Sequence, residues 1–248
     1  MGLPLEHYAV QKINASTAKK IIVEFHYSHT WTSCQYAFGL FKDHMIFGVA
    51  VYGPPVGRLA AQSISTEVAD NEVLELTRLW ISDSEGKNAE SWFLGQTFNW
   101  FKEYKKQIKV LMSYVDPTVG HIGTIYQATN WLYQGNSIRT ADYFMYKINN
   151  ECYHPRTVFS KYKTNELKVL QKLIPDIEIV SMEKKHRYIY ILANKTEKKR
   201  ILNTLKHPVK PYVKFERTRT DQLIPNKHES NNPTVKKSVN TFFKFEDE

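Results

Sequence analysis

His26-Tyr27-Ser28-His29-Thr30-Trp31 sets two imidazoles and a phenol in one short stretch. Such groups can relay protons, ligate a metal or line a substrate, although two histidines three apart are weak evidence for metal by themselves. A second set lies in 112–135. A buried strand, Val110-Leu111-Met112-Ser113-Tyr114, stops at Asp116-Pro117, because proline cannot donate to a sheet ladder. Gly120 and Gly123 then frame a loop that opens a helix through Ile125, Ala128 and Asn130. Ligands bind outside the carboxyl ends of strands, and a helix start offers unpaired N–H groups to an anion. Asp116 and Tyr126 stand at either end of this turn; a turn cap and a core tyrosine are their plainer roles. The third candidate is Arg78 in the strand 72–81. Strict alternation puts it on one face with Leu74, Leu76 and Trp80. A guanidinium among apolar neighbours needs a carboxylate or an anionic ligand. Glu75 falls on the opposite face, which leaves Asp116 as the candidate partner.

The elements that must position these groups follow from pattern. Residues 7–14 read as a strand, and Ser16 or Thr17 caps a helix through Phe25. Residues 36–41 and 45–52 form a hairpin with a three-residue loop. A long loop over 54–72, with a short helix at 59–62, is of a length that is more often functional than idle. A helix over 88–106 separates the strand 72–81 from the strand 109–115. The neutral domain closes with a strand in 141–148. The order is β-α-(loop)-β-β-β-α-β-α-β-β, an α/β (α+β) mixed sheet flanked by helices.

The chain has 248 residues and 42% apolar content, enough for one sizeable core and a smaller second one. Two cysteines without paired or metal-type spacing point to a reducing compartment. The sequence shows neither a signal-type apolar run at its start nor a membrane-spanning stretch. Charge is uneven: 1–150 is neutral, while 151–215 holds fifteen basic and six acidic residues, the whole net charge of +9. Such a segment suits a polyanion, nucleic acid above all, and a solvated face is the bland alternative. Here a helix (165–173), two strands (177–181 and 187–192) and a basic helix (196–206) are expected. The chain therefore divides into a catalytic domain (1–150), a basic α/β extension (151–212) and a polar tail (213–248) expected to be disordered.

The element order in 7–149 resembles the GCN5-related N-acetyltransferase fold. Residues 126–135 (YQATNWLYQG) resemble that fold's helix-to-strand signature. The resemblance implies a donor site between the strands 72–81 and 109–115. The fold's pyrophosphate loop has only a degenerate counterpart in 82–89 (SDSEGKNA). A more specific resemblance spans about residues 5–212. His26-Tyr27-Ser28, Leu76-Thr77-Arg78-Leu79-Trp80, Ser113-Tyr114-Val115-Asp116-Pro117 and the stretch Gly120-His121-Ile122-Gly123-Thr124-Ile125-Tyr126 through Trp131 look like the Mom family of phage DNA-modification proteins, in the right order.

That resemblance implies a transferase placing a carbamoylmethyl group on N6 of adenine in double-stranded DNA, shielding phage DNA from restriction in the cytoplasm of an infected or lysogenic bacterial host. It implies His26, Tyr27, Arg78, Asp116 and Tyr126 as catalytic positions; Ser28, Trp31, His121, Thr124 and Trp131 are candidate substrate-binding residues, with Trp31, Trp131 and Tyr27 able to stack on a base flipped from the duplex. Arg156, Lys184, Lys185 and Arg187 look like the basic, DNA-contacting region. The partners are duplex DNA and an activated acyl donor, either acetyl-CoA or a glycyl donor such as an aminoacyl-tRNA; a homodimer also stays open. A ferrous ion at His26 is the rival route. A glycyl group on N6 can rearrange by attack of its own amine on C6, which yields the carbamoylmethylamino product. The competing readings are an acyl-CoA-dependent N-acyltransferase acting on a small amine or protein, and a non-catalytic DNA-binding protein.

Overall fold

The computed structural model describes residues 7–57, 59–86, 88–117, 120–137 and 144–214. The tail over 215–248, expected to be disordered, lies outside the described residues.

β1 (Tyr8–Lys12) leads into α1 (Ala15–Phe25). The cap of α1 is Asn14, whose side chain accepts from the Thr17 N–H at 2.8 Å, and neither Ser16 nor Thr17 caps it. An asparagine side chain reaches the third N–H as well as a hydroxyl does. β2 (Tyr36–Lys42) and β3 (Met45–Gly53) form the expected hairpin. Its loop is two residues, Asp43 and His44, both at positive φ (49° and 63°), the backbone that matches strand twist. Residues 59–63 make turns and no helix. β4 (Val73–Ile81), α2 (Ala89–Tyr104), β5 (Val110–Val115) and α3 (Thr124–Ala128) follow.

The topology beyond α3 departs from expectation. β6 (Leu132–Asn136) goes to one edge of the main sheet, whose order is β1-β2-β3-β4-β5-β10-β6. β10 (His186–Ile191) fills the place between β5 and β6, antiparallel to both. The strand expected to close the neutral domain, β7 (Phe144–Ile148), pairs instead with β8 (Glu151–Tyr153) and β9 (Glu178–Ser181) in a separate small sheet. That sheet, α4 (Pro155–Tyr162) and α5 (Leu167–Leu173) share a core of Tyr146, Val158, Leu170 and Ile177. A boundary at 150 therefore cuts through this small unit, and part of the basic extension belongs to the main sheet. Alternation shows that 144–148 is a strand and cannot show which sheet receives it.

Two faces of the main sheet matter for the site. On one, α2 and α3 cover Leu74, Leu76, Leu111 and Tyr188. On the other, α1 packs on Val49 and Val51, while Ile64, Ile201 and their neighbours pack on Val73, Met112 and Ile189. Ile201 belongs to α6 (Lys195–Asn203). A bulge changes the alternation of β4. Leu76 pairs with Tyr52 and Arg78 with Val51, so Thr77 is an extra residue. Past it, Leu79 and Ile81 join the Leu76 face and Trp80 joins the α1 face. Arg78, opposite Val51, goes with Trp80.

β4 and β5 are the parallel pair of the main sheet. They are bonded from Val73–Glu75 to Val110–Met112. Beyond Glu75 and Met112, β4 follows β3 to Ile81 and β5 follows β10 to Val115. The two strands therefore part, as the resemblance implies for a donor site.

Candidate active site

The parting of β4 and β5 gathers side chains from both faces. On the α2 side, Ser113 Oγ donates to the Leu76 carbonyl at 2.9 Å, across the start of the opening. With its proton used there, Ser113 Oγ accepts from the Tyr126 hydroxyl at 2.8 Å. Tyr126 is buried, stacked at 5.2 Å on Tyr188 and edge-on to Trp131. Burial pushes its phenol up to about 12, with Tyr27 and Glu75 raising it further against the lowering Ser113 bond. Tyr126 thus stays a hydrogen-bond donor at neutral pH.

Why α3 holds Tyr126 there is legible in Gly123. At φ +81° it caps α3, and a Cβ on it would lie 2.6 Å from the Tyr188 ring. Only glycine lets the turn close on β10. Tyr188 donates to the Ile122 carbonyl at 2.7 Å, and Gln127 donates to the Tyr188 hydroxyl at 3.3 Å. The strand that sequence reasoning put outside the neutral domain therefore anchors the helix carrying Tyr126.

On the α1 side, His26 is buried at the end of α1. Its Nδ1 accepts the Ser28 N–H at 3.1 Å and lies 2.9 Å from Ser28 Oγ. The neutral ring therefore carries its proton on Nε2. Burial lowers its pKa to about 4, helped by Arg78, His29 and His121. Tyr27 is 57% exposed, against His26 at 4.3 Å and edge-on to His121 at 5.6 Å between ring centres.

The Thr77 bulge turns Arg78 toward this group. Its Nε donates to the Thr30 carbonyl (3.1 Å), Nη2 to Thr30 Oγ1 (2.9 Å) and Nη1 to the Thr77 carbonyl (2.7 Å). Burial lowers its pKa, while Tyr27 and Glu75 oppose that. The expected Arg78–Asp116 bridge is not formed: Asp116 pairs with Lys185 at 3.5 Å. Glu75, set aside by strict alternation, shares the Arg78 face because of the bulge. It is buried, accepts the Val56 N–H at 2.7 Å, and burial raises its pKa while Val56, Lys185 and Arg78 oppose the rise.

Of the sequence-derived residues, His26, Tyr27, Ser28, Arg78, His121 and Tyr126 come together here, with Asp116 reaching the group through Lys185. Thr124 is the exposed first residue of α3. Trp31 packs against the α1 core, and Trp131 is fully buried against Phe98, Tyr126 and Tyr190. Trp131 is thus core and offers no face to a base. Arg156 is exposed on α4 and Lys184 is exposed before β10. Arg187 is 5% exposed and lies inside, where no duplex phosphate reaches. Glu75 and Ser113 are the missed residues. Each is a polar side chain inside an otherwise apolar strand, which is the signal that could have found them. Among the described residues no three His, Cys, Asp or Glu side chains form a metal-ligand group. The same residues hold no helix long and apolar enough to cross a membrane.

Comparison with known proteins adds four findings. The model of the Mom protein family matches residues 7–214. The methylcarbamoylase Mom of Escherichia phage Mu is 26% identical over 215 residues, 86% of this chain and 87% of that protein. Among solved structures, the ribosomal-protein-S5-alanine acetyltransferase of Vibrio fischeri matches at 12% identity and a TM-score of 0.43, over 77% of this chain and 96% of that one. The ribosomal-protein-S18-alanine N-acetyltransferase of Escherichia coli matches at 9% identity and 0.43, over 75% and 95%.

Proposed function

The chain belongs to the Mom protein family, and from that premise we propose that it is a transferase acting on N6 of adenine in double-stranded DNA. The product is a carbamoylmethyl group, which shields phage DNA from restriction inside an infected or lysogenic bacterial host. The observation that carries this reading is the convergence of Glu75, Arg78, His26, Tyr27 and Tyr126 on the opening between β4 and β5.

Adenine N6 is a weak nucleophile, since its lone pair is delocalised into the ring. Its attack on an activated carbonyl needs a base and aimed donors for the oxyanion. The Nε2–H of His26 is one donor, and Tyr126 becomes a second when its hydroxyl turns from Ser113 to the oxyanion; both are uncharged at neutral pH for the reasons above. Glu75 and Asp116 are the carboxylates able to take the N6 proton. Arg78, held by Thr30 and Thr77, binds an anionic part of the donor. The N6 amine is out of reach in the stack, so the base flips, and the exposed Tyr27 ring offers it a face.

An aminoacyl donor accounts for the product. Transfer of a glycyl group to N6 releases its carrier, and attack of the glycyl amine on C6 then breaks the C6–N6 bond to leave the carbamoylmethylamino isomer. An aminoacyl-tRNA would supply such a group. The turn at 82–86 favours this over acyl-CoA. It carries Glu85, held by Tyr8 and Lys42, where a pyrophosphate loop would offer backbone donors.

Mass spectrometry of nucleosides from DNA of cells making the protein tests the reading. A new deoxyadenosine species is expected, absent with Tyr126→Phe, and its mass names the group. Unmodified deoxyadenosine in DNA from both the expression host and the native source would overturn the proposal.

A further inference from the structure

A second recess lies on the far side of β10 from the opening. Tyr133, Gly135, Asn136, Ser137, Lys184 and Lys210 line a cavity of about 400 Å³. Its chemistry is one-sided. Among the described residues no carboxylate lines it, and neither lysine takes part in an ion pair. Asn136 Oδ1 is occupied by His186 at 3.0 Å and the Tyr133 hydroxyl at 3.4 Å. Its amide NH₂, the Ser137 hydroxyl and two ammonium groups remain as donors.

The recess is built into the fold. β6 carries a bulge opposite Arg187, because His186 pairs with Asn136 and Tyr188 with Tyr133. Gly135 supplies the positive φ (+82°) this requires. The segment after α6 then runs along β6: Gln134 donates to the His207 carbonyl at 2.9 Å and Lys210 N–H to the Tyr133 carbonyl at 2.8 Å. The Lys210 side chain crosses Gly135, with Cδ and Nζ 3.0 Å from where a Cβ would stand. A lysine laid over a glycine in this way has lost part of its rotamer freedom before any ligand arrives. Arg187 stands opposite this bulge in β10, buried, with Nε and Nη2 without partners among the described residues.

We propose that this recess binds one phosphodiester of the duplex whose adenine enters the opening between β4 and β5. The proposal rests on DNA being the substrate. Lys184 lines the recess and its neighbour Lys185 pairs with Asp116, so the two sites flank one short segment. β5 and β6 are two strand spacings apart, about 10 Å, a reach that suits a phosphate near the flipped nucleotide. The contact fixes the register of the strand and carries no sequence information.

Binding of a labelled duplex by the full chain, measured over a series of KCl concentrations, tests this. The double variant Lys184→Gln/Lys210→Gln should bind about tenfold more weakly. The slope of log K against log salt should be shallower by about 1, one phosphate contact. Ser137→Asp, which sets a carboxylate in the recess, should weaken binding to a similar degree through a different change. Parental affinity and slope in both variants would overturn the proposal. So would variants that bind DNA normally and are impaired only toward a phosphate-bearing donor. Nucleoside mass spectrometry separates the two ideas. DNA modified by the parent, with binding unaltered in the variants, removes the recess alone. DNA left unmodified, with binding weakened in the variants, removes the reaction and keeps the recess.

Discussion

Arg78 and Arg187 are both arginines on central strands beside β-bulges, and the two bulges do opposite things. The bulge at Thr77 lies in the strand of Arg78 itself and rotates it out of an apolar face. There three protein oxygens hold it next to Glu75, Tyr27 and His26. The bulge near Arg187 lies in its neighbour β6, so Arg187 keeps its place in the strand and stays sealed. Two of its nitrogens, like Gln134 Oε1, have no partner among the described residues. A bulge re-aims the residue on its own strand and leaves the residue opposite where the pleat put it. An arginine that reads as functional in sequence is therefore presented in one case and enclosed in the other.

The largest expected effect breaks the comparison at the presented arginine. Arg78→Met should lower the rate of adenine modification by roughly 10²–10³-fold, the range for loss of one aimed donor in a closed site, with duplex binding little changed. Product quantified over time by nucleoside mass spectrometry checks it. A loss below about threefold at saturating DNA would mean that Arg78 only braces Thr30.

Next is the histidine beside Arg78. His26 falls from its usual 6.5 to about 4 in the folded chain. Above 6.5 it is neutral folded or unfolded and has no effect on stability. As pH falls from 6.5 toward 4 the unfolded chain takes up the proton and the folded chain does not, so stability declines. The limit is roughly 3 kcal/mol for one such group. Urea unfolding across that pH window should show a steeper decline for the parent than for His26→Asn. Parallel curves would place the shift elsewhere.

The smallest effect concerns the enclosed arginine. Arg187→Met removes an uncompensated buried charge and keeps the volume of the stem. It should leave stability unchanged or raise it by about 1–2 kcal/mol. A drop of more than about 2 kcal/mol in urea unfolding would show that Arg187 has a counter-charge in solution and is no longer the opposite of Arg78.

Local pattern read much of this chain. Alternation and helix spacing located β1 to β5, α1, α2 and α6 to within a few residues, because each depends on neighbours in sequence. The groups around the opening were legible for a similar reason: a histidine–tyrosine pair after a helix, and a carboxylate at a strand end before a glycine-framed helix, are local arrangements. Glu75 was misread because alternation assumes an unbroken pleat, and one extra residue at Thr77 reverses the faces beyond it. A strand after α3 was expected without bounds, because Gln134, Gly135 and Asn136 do not themselves read as a strand, although β10 holds them as one.

The sequence by itself determined the mixed α/β class, the place of the reactive side chains along the chain and the concentration of positive charge after residue 150. These depend on composition and short-range periodicity. Only the tertiary structure decided that β10 crosses back between β5 and β6 and closes on Gly123 to position Tyr126. Only it decided that Asp116 pairs with Lys185, which leaves Glu75 as the carboxylate facing Arg78. Strand pairing between distant segments is chosen by the whole sheet at once. A carboxylate's partner is whichever charge that sheet brings near, so neither can be read from a neighbourhood of residues.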